Sequence, residues 1–226
     1  YGKTEDGRSV AIRYTGFEPY FFVLEPSDEV LGILEDDPRV VRMEDKELLF
    51  KGERKRAKRV VVTYPWLVPD IRGQVIQKGT VLAADIPFHF RFMYDLDLGS
   101  CVRVFGEEFE DARYRTDVVV RAERFETIKP FRPTLRILSF DIETSLKEPK
   151  IFTICCVVKD GDKVESRGFE GGEAKMIRDF TEYIIEADPD VITGYNIDGF
   201  DIPQILQRAQ ALRGPELAWG RYPGTI

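Results

Sequence analysis

Histidine is almost absent from this sequence, and its scarcity excludes several kinds of active site. The single residue, His89, cannot build a zinc site made of histidines. Its aromatic neighbours, Phe88 and Phe90, predict a packed helix at this position rather than a Ser-His-Asp triad. Any metal ion that this protein binds must therefore be held by carboxylates.

Cysteine and long apolar runs are scarce as well. The three cysteines, Cys101, Cys155 and Cys156, are not spaced as metal ligands and lie in apolar surroundings, so we expect buried, reduced thiols. No run approaches the roughly 18 apolar residues of a membrane-spanning helix, and the segment YGKTEDGRSV at the start has no apolar signal region. We therefore expect a soluble, intracellular protein. Because the sequence starts at Tyr1 and its last segment closes no obvious element, we interpret it as an excerpt of a longer chain.

Basic residues are outnumbered by acidic ones, with a net charge of −7. This balance argues against a protein that coats duplex DNA by bulk electrostatics. The excess of acid is concentrated in residues 135–226, where 16 Asp and Glu stand against 11 Lys and Arg. Bound cations would offset part of this charge.

Three segments interrupt the regular patterns: KGERKRAKR at 51–59, LGSCVRVFGEEFED at 98–111 and IKPFRPTL at 128–135. In the third, Pro130 and Pro133 disfavour both helix and central strand, and a buried-strand pattern follows directly. We therefore predict a boundary here, with one domain at 1–134 and a second at 135–226. The five basic residues at positions 54–59 of the first run favour a DNA-backbone contact about as much as a solvated loop.

The first domain is predicted to be a mixed α+β module. Its strand patterns are RSVAIRYTGF, PYFFVLEP, RVVRMEDKELLF, RVVVTYP and TVLAAD, and its helix patterns are SDEVLGILEDD with a Ser27 cap, VPDIRGQVIQKG and IPFHFRFMYDLD.

The second domain has the element order βββαβα. LRILSFDIET, IFTICCVVKD and VESRGFEG predict an antiparallel meander, followed by the helix EAKMIRDFTEYIIEAD, the strand DVITGYN and the helix DGFDIPQILQRAQAL. The first helix places its apolar residues at helical spacing: Ala174, Ile177, Phe180, Ile184 and Ile185. This order is that of the ribonuclease-H-like fold, an α/β architecture with a mixed central sheet.

Two carboxylates end the first strand of that domain. Asp141 and Glu143 are two residues apart, so they project from the same face of a strand. Two carboxylates on one face of a buried strand are costly unless a cation compensates, and oxygen ligands suit Mg²⁺ or Mn²⁺. The alternative is that both residues simply end a strand at a solvated edge.

A second polar cluster follows the strand DVITGYN. Asn196, Phe200 and Asp201 form the pattern N-x-x-x-F-D, and Asp201 could complete a carboxylate site with the first pair. Phe200 could stack on or wedge against a nucleotide and Asn196 could donate a hydrogen bond to it, although either residue could instead be structural.

SFDIETS and YNIDGFDIP resemble the first two motifs of the DEDD-type 3′→5′ exonuclease domains of family B DNA polymerases. The resemblance implies a two-metal proofreading site in which Asp141 bridges both metals, Glu143 binds the first and orients the attacking water, and Asp201 supports the second. The third motif of that family, Y-x-x-x-D, does not occur after Asp201. The resemblance therefore implies an incomplete ribonuclease-H-like domain that binds metal weakly and has little nuclease activity on its own.

The first domain also resembles the N-terminal domain of archaeal family B polymerases, through FEPYFFVL, Val-Pro at 68–69 and DIPFHFRFM. That resemblance implies a pocket that senses uracil in the template strand, in which an aliphatic side chain excludes the methyl group of thymine by shape. Carried over position by position, the pocket consists of Pro19, Val68, Ile86, Pro87, Phe88 and Arg91. Arg91 would meet a phosphate, although an ordinary helix start with a surface arginine is the alternative.

Three functions remain open at this point. The first is the N-terminal and exonuclease part of a replicative DNA polymerase, with primer terminus and template DNA as partners, a sliding clamp bound through another part, and a cytoplasmic, nucleoid-associated location. The second is a stand-alone DEDD exonuclease, in which the third motif would follow soon after residue 226. The third is an inactive DNA-binding module, against which the retained Asp141, Glu143 and Asp201 argue.

Overall fold

The computed structural model describes residues 1–145 and 147–222. The predicted second domain, 135–226, thus includes Leu146 and residues 223–226, which lie outside the described residues. The strands are β1 (Gly2–Lys3), β2 (Ser9–Arg13), β3 (Tyr20–Leu24), β4 (Val40–Phe50), β5 (Glu53–Val62), β6 (Thr80–Leu82), β7 (Val102–Glu108), β8 (Val118–Thr127), β9 (Arg136–Thr144), β10 (Ile151–Asp160), β11 (Lys163–Glu170) and β12 (Val191–Thr193). The helices are α1 (Asp28–Glu35), α2 (Val68–Val75), α3 (Phe88–Asp95), α4 (Glu173–Ala187) and α5 (Asp201–Ala211), with a 3-10 turn at Pro65–Leu67.

The chain forms two compact units, and each unit is made of segments that are separated in the sequence. The exonuclease-like unit, which contains the two acidic motifs, consists of Tyr1–Arg13, Gly106–Arg121 and Phe131–Ile226. The other unit consists of Tyr14–Phe105 and Ala122–Pro130. The first residues join the exonuclease-like unit because β2 pairs in parallel with the first half of β8 and Lys3 forms a salt bridge with Asp190 at 2.6 Å. A functional boundary at residues 134 and 135 stays a prediction.

The unit of Tyr14–Phe105 and Ala122–Pro130 is built on an antiparallel sheet of order β4-β5-β3-β6. Helices α1 and α2 supply buried residues to its core, among them Leu34 and Ile71, which pack with Phe21 and Val60 of the sheet. The predicted Ser27 cap is present, since its hydroxyl accepts a hydrogen bond from the Val30 amide at 3.4 Å. The mixed α+β class of this part is confirmed.

Two segments predicted to be interruptions are strands. Residues 53–59 of the charged run belong to β5, and residues 102–108 of the second run form β7. The charged run can form a strand because β4 opposes it with acids: Glu44 faces Arg59, Asp45 faces Lys58 and Glu47 faces Arg56. Lys51 and Gly52, both with positive φ, make the tight turn between the two strands.

The sheet of the exonuclease-like unit has the order β11-β10-β9-β12, with β12 parallel to β9 and the other pairs antiparallel. The predicted meander and βββαβα order are therefore confirmed. Buried residues of β9, α4 and α5 share one core, for example Leu138, Phe180 and Ile205. Ile185 was predicted on the core face of α4 but is 41% exposed, because it lies about 100° around the helix from buried Ile184.

Two predictions about the scarce residues are wrong in part. Cys156 is buried, which raises the pKa of its thiol to about 11, but Cys155 is exposed and Cys101 only half-buried. Cys155 is exposed because alternate residues of β10 point away from the core. His89 is exposed on α3, a helix without fully buried residues, so it is not part of a packed helix. Among the helices of residues 1–145 and 147–222, none has the length and apolar character to cross a membrane.

Candidate functional sites

Strand β9 separates its apolar residues from its carboxylates. Phe140 and Ile142 are buried in the core, whereas Asp141 and Glu143 point to the opposite face and are exposed. Asp141 stands opposite Cys155 on β10 and opens into a groove of about 630 Å³ on this face. The expected desolvation cost of the pair is therefore small, because both carboxylates contact solvent.

Asp201 is the buried carboxylate of the site. It is the first residue of α5 and only 2% exposed, and its carboxylate accepts a hydrogen bond from the Ile142 amide at 3.1 Å. Burial raises the pKa of Asp201, and the nearby charge of Asp141 raises it further. The structure therefore brings Asp201 beside the strand that carries Asp141 and Glu143.

The turn between β12 and α5 places the remaining predicted residues. A Cβ atom on Gly194 would lie 2.6 Å from the Phe140 carbonyl oxygen, so only glycine permits this close approach. Asn196 has φ 54°, and its carbonyl accepts hydrogen bonds from the amides of Gly199 and Phe200, both at 3.0 Å. Asn196 is exposed, and Phe200 is 43% exposed on the wall of a separate groove of about 340 Å³.

The three carboxylates fit a hard cation in chemistry but do not form a closed site. Their donors are all oxygen, as Mg²⁺ and Mn²⁺ require. In the described part of the chain, no group of three or more Asp, Glu, His or Cys side chains is close enough to hold a metal ion. Tyr195, which was not predicted from the sequence, is 95% exposed and lines the Asp141 groove. Its position directly before Asn196 is the sequence signal that could have identified it.

A second pocket, of about 430 Å³, lies in the unit of Tyr14–Phe105 and Ala122–Pro130. It brings together every residue that the sequence predicted for a base pocket: Pro19, Val68, Ile86, Pro87, Phe88 and Arg91. Tyr20, Pro65 and Arg72 also line this pocket and were not predicted from the sequence. Arg72 follows Val68 by one helical turn of α2, a spacing that could have identified it.

Arg91 is held by its neighbours rather than left free for a phosphate. Its guanidinium pairs with Asp95 at 3.0 Å, donates to the Tyr20 hydroxyl, and lies over the Tyr20 ring at 4.5 Å. Burial raises the pKa of Tyr20, so its hydroxyl keeps its proton. Within residues 1–145 and 147–222, Arg72 forms no salt bridge, which makes it the unpaired cation of the pocket lining.

Comparison with known proteins gives a match to one protein family and matches to individual relatives. Residues 163–223 match the exonuclease domain of DNA polymerase family B. A DNA polymerase of Archaeoglobus fulgidus is 32% identical over 92% of this chain, and DNA polymerase 2 of Aeropyrum pernix is 30% identical over 98%. The DNA polymerase delta catalytic subunit of Drosophila melanogaster is 24% identical over 94%.

The solved structure of the family B DNA polymerase of Pyrobaculum calidifontis matches 97% of this chain with a TM-score of 0.78 and 29% identity. The chain spans 28% of the A. fulgidus polymerase, 31% of the A. pernix polymerase and 31% of the P. calidifontis chain. The similarity thus covers both units of this chain and a limited part of each relative. By sequence and by structure, the chain belongs to the family B DNA polymerases and corresponds to the N-terminal and exonuclease region of the archaeal enzymes.

Proposed function

We propose that this region carries the proofreading part of a replicative DNA polymerase, which removes nucleotides from the 3′ end of a primer. The observation that carries the proposal is the hydrogen bond from the Ile142 amide to Asp201, which joins the two acidic motifs at one residue. Family B exonuclease domains generally use divalent metals, and Asp141, Glu143 and Asp201 are the residues that would hold Mg²⁺ or Mn²⁺ here. Two bound cations would lower the pKa of the attacking water and neutralise the leaving 3′ oxygen.

The protein's own contribution is to place these ligands and the substrate. Burial fixes the Asp201 side chain, while the exposed face of β9 leaves Asp141 and Glu143 accessible to a strand end. The exposed ring of Phe200 can stack on a terminal base, and the amide of Asn196 can donate to the same nucleotide. No nucleophilic side chain is needed, because water attacks the phosphorus.

The ligand set is incomplete in these 226 residues, since no Tyr-x-x-x-Asp follows Asp201. We expect the chain to shorten a 5′-labelled single-stranded oligonucleotide slowly in Mn²⁺, one nucleotide at a time from the 3′ end. Gel analysis of the ladder gives both direction and rate. Asp141→Asn is the control and should abolish the ladder. Removal from the 5′ end would contradict the proposed function, and rapid degradation would contradict the incomplete ligand set.

We also propose that the 430 Å³ pocket recognises uracil in single-stranded template DNA. Support comes from its lining of proline, aliphatic and aromatic side chains, which suits the flat face of a base. Val68 is 9% exposed and occupies one wall, where a γ-methyl group can exclude the C5 methyl of thymine. Tyr20 and Arg72 add polar contacts at the edge of the same pocket.

We expect Val68→Ala to lower the preference for a uracil-containing over a thymine-containing oligonucleotide by about 10-fold, because the enlarged pocket admits the methyl group. Affinities of two otherwise identical fluorescent oligonucleotides measure this ratio. Val75→Ala is the matched control: Val75 is equally part of α2 and of the core but does not line the pocket. Both variants should lose roughly 2 kcal/mol of stability. An unchanged ratio in Val68→Ala would remove the proposed role of this side chain.

DNA synthesis and attachment to a sliding clamp are proposals for the longer protein, because the chain spans under a third of its relatives. The relatives described above are DNA polymerases. This favours part of a DNA polymerase over a stand-alone exonuclease. The intracellular, nucleoid-associated location stays a prediction.

A further inference from the structure

Two exposed aromatic rings lie stacked on each other and belong to the residues on either side of Pro65, which lines the base pocket. Tyr64 and Trp66 have ring centroids 4.6 Å apart and planes only 5° from parallel. Both remain open to solvent, with Tyr64 50% and Trp66 68% exposed. Exposed aromatic rings offer flat faces on which a nucleobase can stack. The pair is not needed for the core, since neither residue belongs to the buried cluster of this unit.

The position of the pair follows from the short 3-10 turn at Pro65–Leu67 that leads into α2. Pro65, between the two aromatic residues, lines the base pocket, and so does Val68, two residues after Trp66. The Cα atoms of Trp66 and Val68 can be no more than about 7.6 Å apart. Neighbouring bases in a strand are about 3.4 Å apart when stacked and farther apart when one is flipped out. The aromatic pair is therefore within reach of a base next to one held in the pocket.

The pocket lining also supplies a positive charge for the connecting phosphate. Arg72 lines the pocket and has no salt bridge among the described residues. Arg91, by contrast, is neutralised by Asp95. Asp85 also lines the pocket but is exposed and thus solvated. An unpaired arginine beside exposed aromatic rings is the combination that binds single-stranded nucleic acid, since the rings stack on bases and the cation attracts the backbone.

We propose that Tyr64 and Trp66 form a stacking platform for the nucleobase adjacent to the base in the pocket, with Arg72 binding the phosphate that joins them. This inference rests on the proposed recognition of a template base. The platform adds affinity without sequence preference, because every base offers a flat face. The pocket selects the base, and the platform holds the strand that presents it.

The test uses the whole 226-residue chain and 12-nucleotide single strands that carry one uracil, or thymine in its place. A 2-aminopurine is placed either next to that base or four nucleotides away. We expect its fluorescence to be quenched on binding only in the adjacent position, on one side of the uracil. Trp66→Ala should abolish this quenching and weaken binding about 10-fold to both the uracil and the thymine strand. Trp66→Phe should restore most of the affinity, because a phenyl ring still stacks.

One control and one further variant separate the platform from a general surface effect. Leu49→Ala removes an exposed side chain of the same unit, 76% exposed on β4, and should leave binding unchanged. Arg72→Gln should lower the slope of log affinity against log salt by about 1 unit while keeping the quenching. Circular dichroism and thermal denaturation report that each variant is folded.

The outcomes distinguish the two proposals. Equal affinity of the unmodified chain for uracil and thymine strands would contradict the pocket's role. Loss of affinity and of adjacent quenching in Trp66→Ala, with the uracil preference intact, supports the platform. Unchanged affinity in Trp66→Ala, or quenching that is the same at both 2-aminopurine positions, overturns the platform whether or not the pocket selects uracil.

Discussion

Manganese added at a fraction of one equivalent is expected to broaden the amide resonances around residues 140–144 and 200–202 before any others in this 26.0 kDa chain. The Asp141→Asn, Glu143→Gln double variant should lose this selective broadening. Changes to residues that merely support a ligand already lower metal affinity 10- to 100-fold, so loss of two direct ligands should cost at least about 100-fold. A ¹⁵N-resolved titration of both proteins measures the effect. Asp201 remains in the variant, but one carboxylate alone holds a divalent cation poorly.

The matched control removes the same number of negative charges at another place in the same unit. Glu108 and Glu110 line an acidic groove of about 930 Å³ in the same unit, together with Asp111 and Asp117. Glu108→Gln with Glu110→Gln should leave the broadening at residues 140–144 intact. If manganese instead broadened residues 108–117 first, or if the Asp141 and Glu143 variant retained the pattern, the metal assignment would be wrong.

Arg208→Met is expected to destabilise the exonuclease-like unit by about 3 kcal/mol. Arg208 on α5 binds the Glu173 carboxylate through two nitrogens, at 2.7 and 2.8 Å, and both side chains are nearly buried. Glu173 also accepts from the Ile151 amide at 2.8 Å, so one carboxylate joins α4, α5 and β10. Without Arg208, this charge stays buried and unpaired, which is the costly arrangement. Chemical denaturation of the two proteins measures the difference.

The Glu173→Gln, Arg208→Met double variant should recover part of that loss, because the buried charge is gone and the amide oxygen can still accept from Ile151. Lys175→Met is the control: its pair with Asp179 on α4 is exposed, so it should cost under about 0.5 kcal/mol. If the Arg208→Met protein were as stable as the unmodified chain, the stabilising role of the Arg208–Glu173 salt bridge would be contradicted.

The same pair predicts a pH dependence. The Arg208 guanidinium lowers the pKa of Glu173 below its usual 4.5. A carboxylate whose pKa is lowered on folding contributes stability above its unfolded pKa and loses it as the pH falls through the folded value. We therefore expect this contribution to be complete near neutral pH and to decline below about pH 4.5. Glu173→Gln should lack that part of the decline.

The elements of this chain were predictable where one signal dominated. The buried run before Asp141 and the helical spacing in α4 specify a strand and a helix locally, and the structure contains both. The charged run at 51–59 was misread because its polarity was judged alone. Its partner strand supplies the opposite charges. Which strands pair is decided by tertiary structure, so it cannot be predicted from the sequence of one segment.

The candidate site shows the same division. Spacing alone placed Asp141 and Glu143 on one face, and the resemblance of two separate motifs to one family linked this pair to Asp201. Spacing could not reveal that Asp201 is the buried member and the other two are exposed, because burial depends on which face the helices cover. Nor could spacing reveal that Arg91 is already bound by Asp95 and Tyr20, which leaves Arg72 as the pocket cation without a salt bridge among residues 1–145 and 147–222.

The charge balance of the hairpin of β4 and β5 affects how strongly this unit can attract DNA from a distance. Its basic side chains are matched by acids on the facing strand, with Lys58 at 2.8 Å from Asp45 and Arg59 at 3.1 Å from Glu44. The opposite charges of such pairs cancel at a distance, so the electrostatic field of this hairpin is weak beyond a screening length of about 10 Å. Long-range steering of a DNA strand toward this unit is correspondingly weak. If the proposed pocket binds a strand, short-range contacts in the pocket would hold it, with little attraction from a distance.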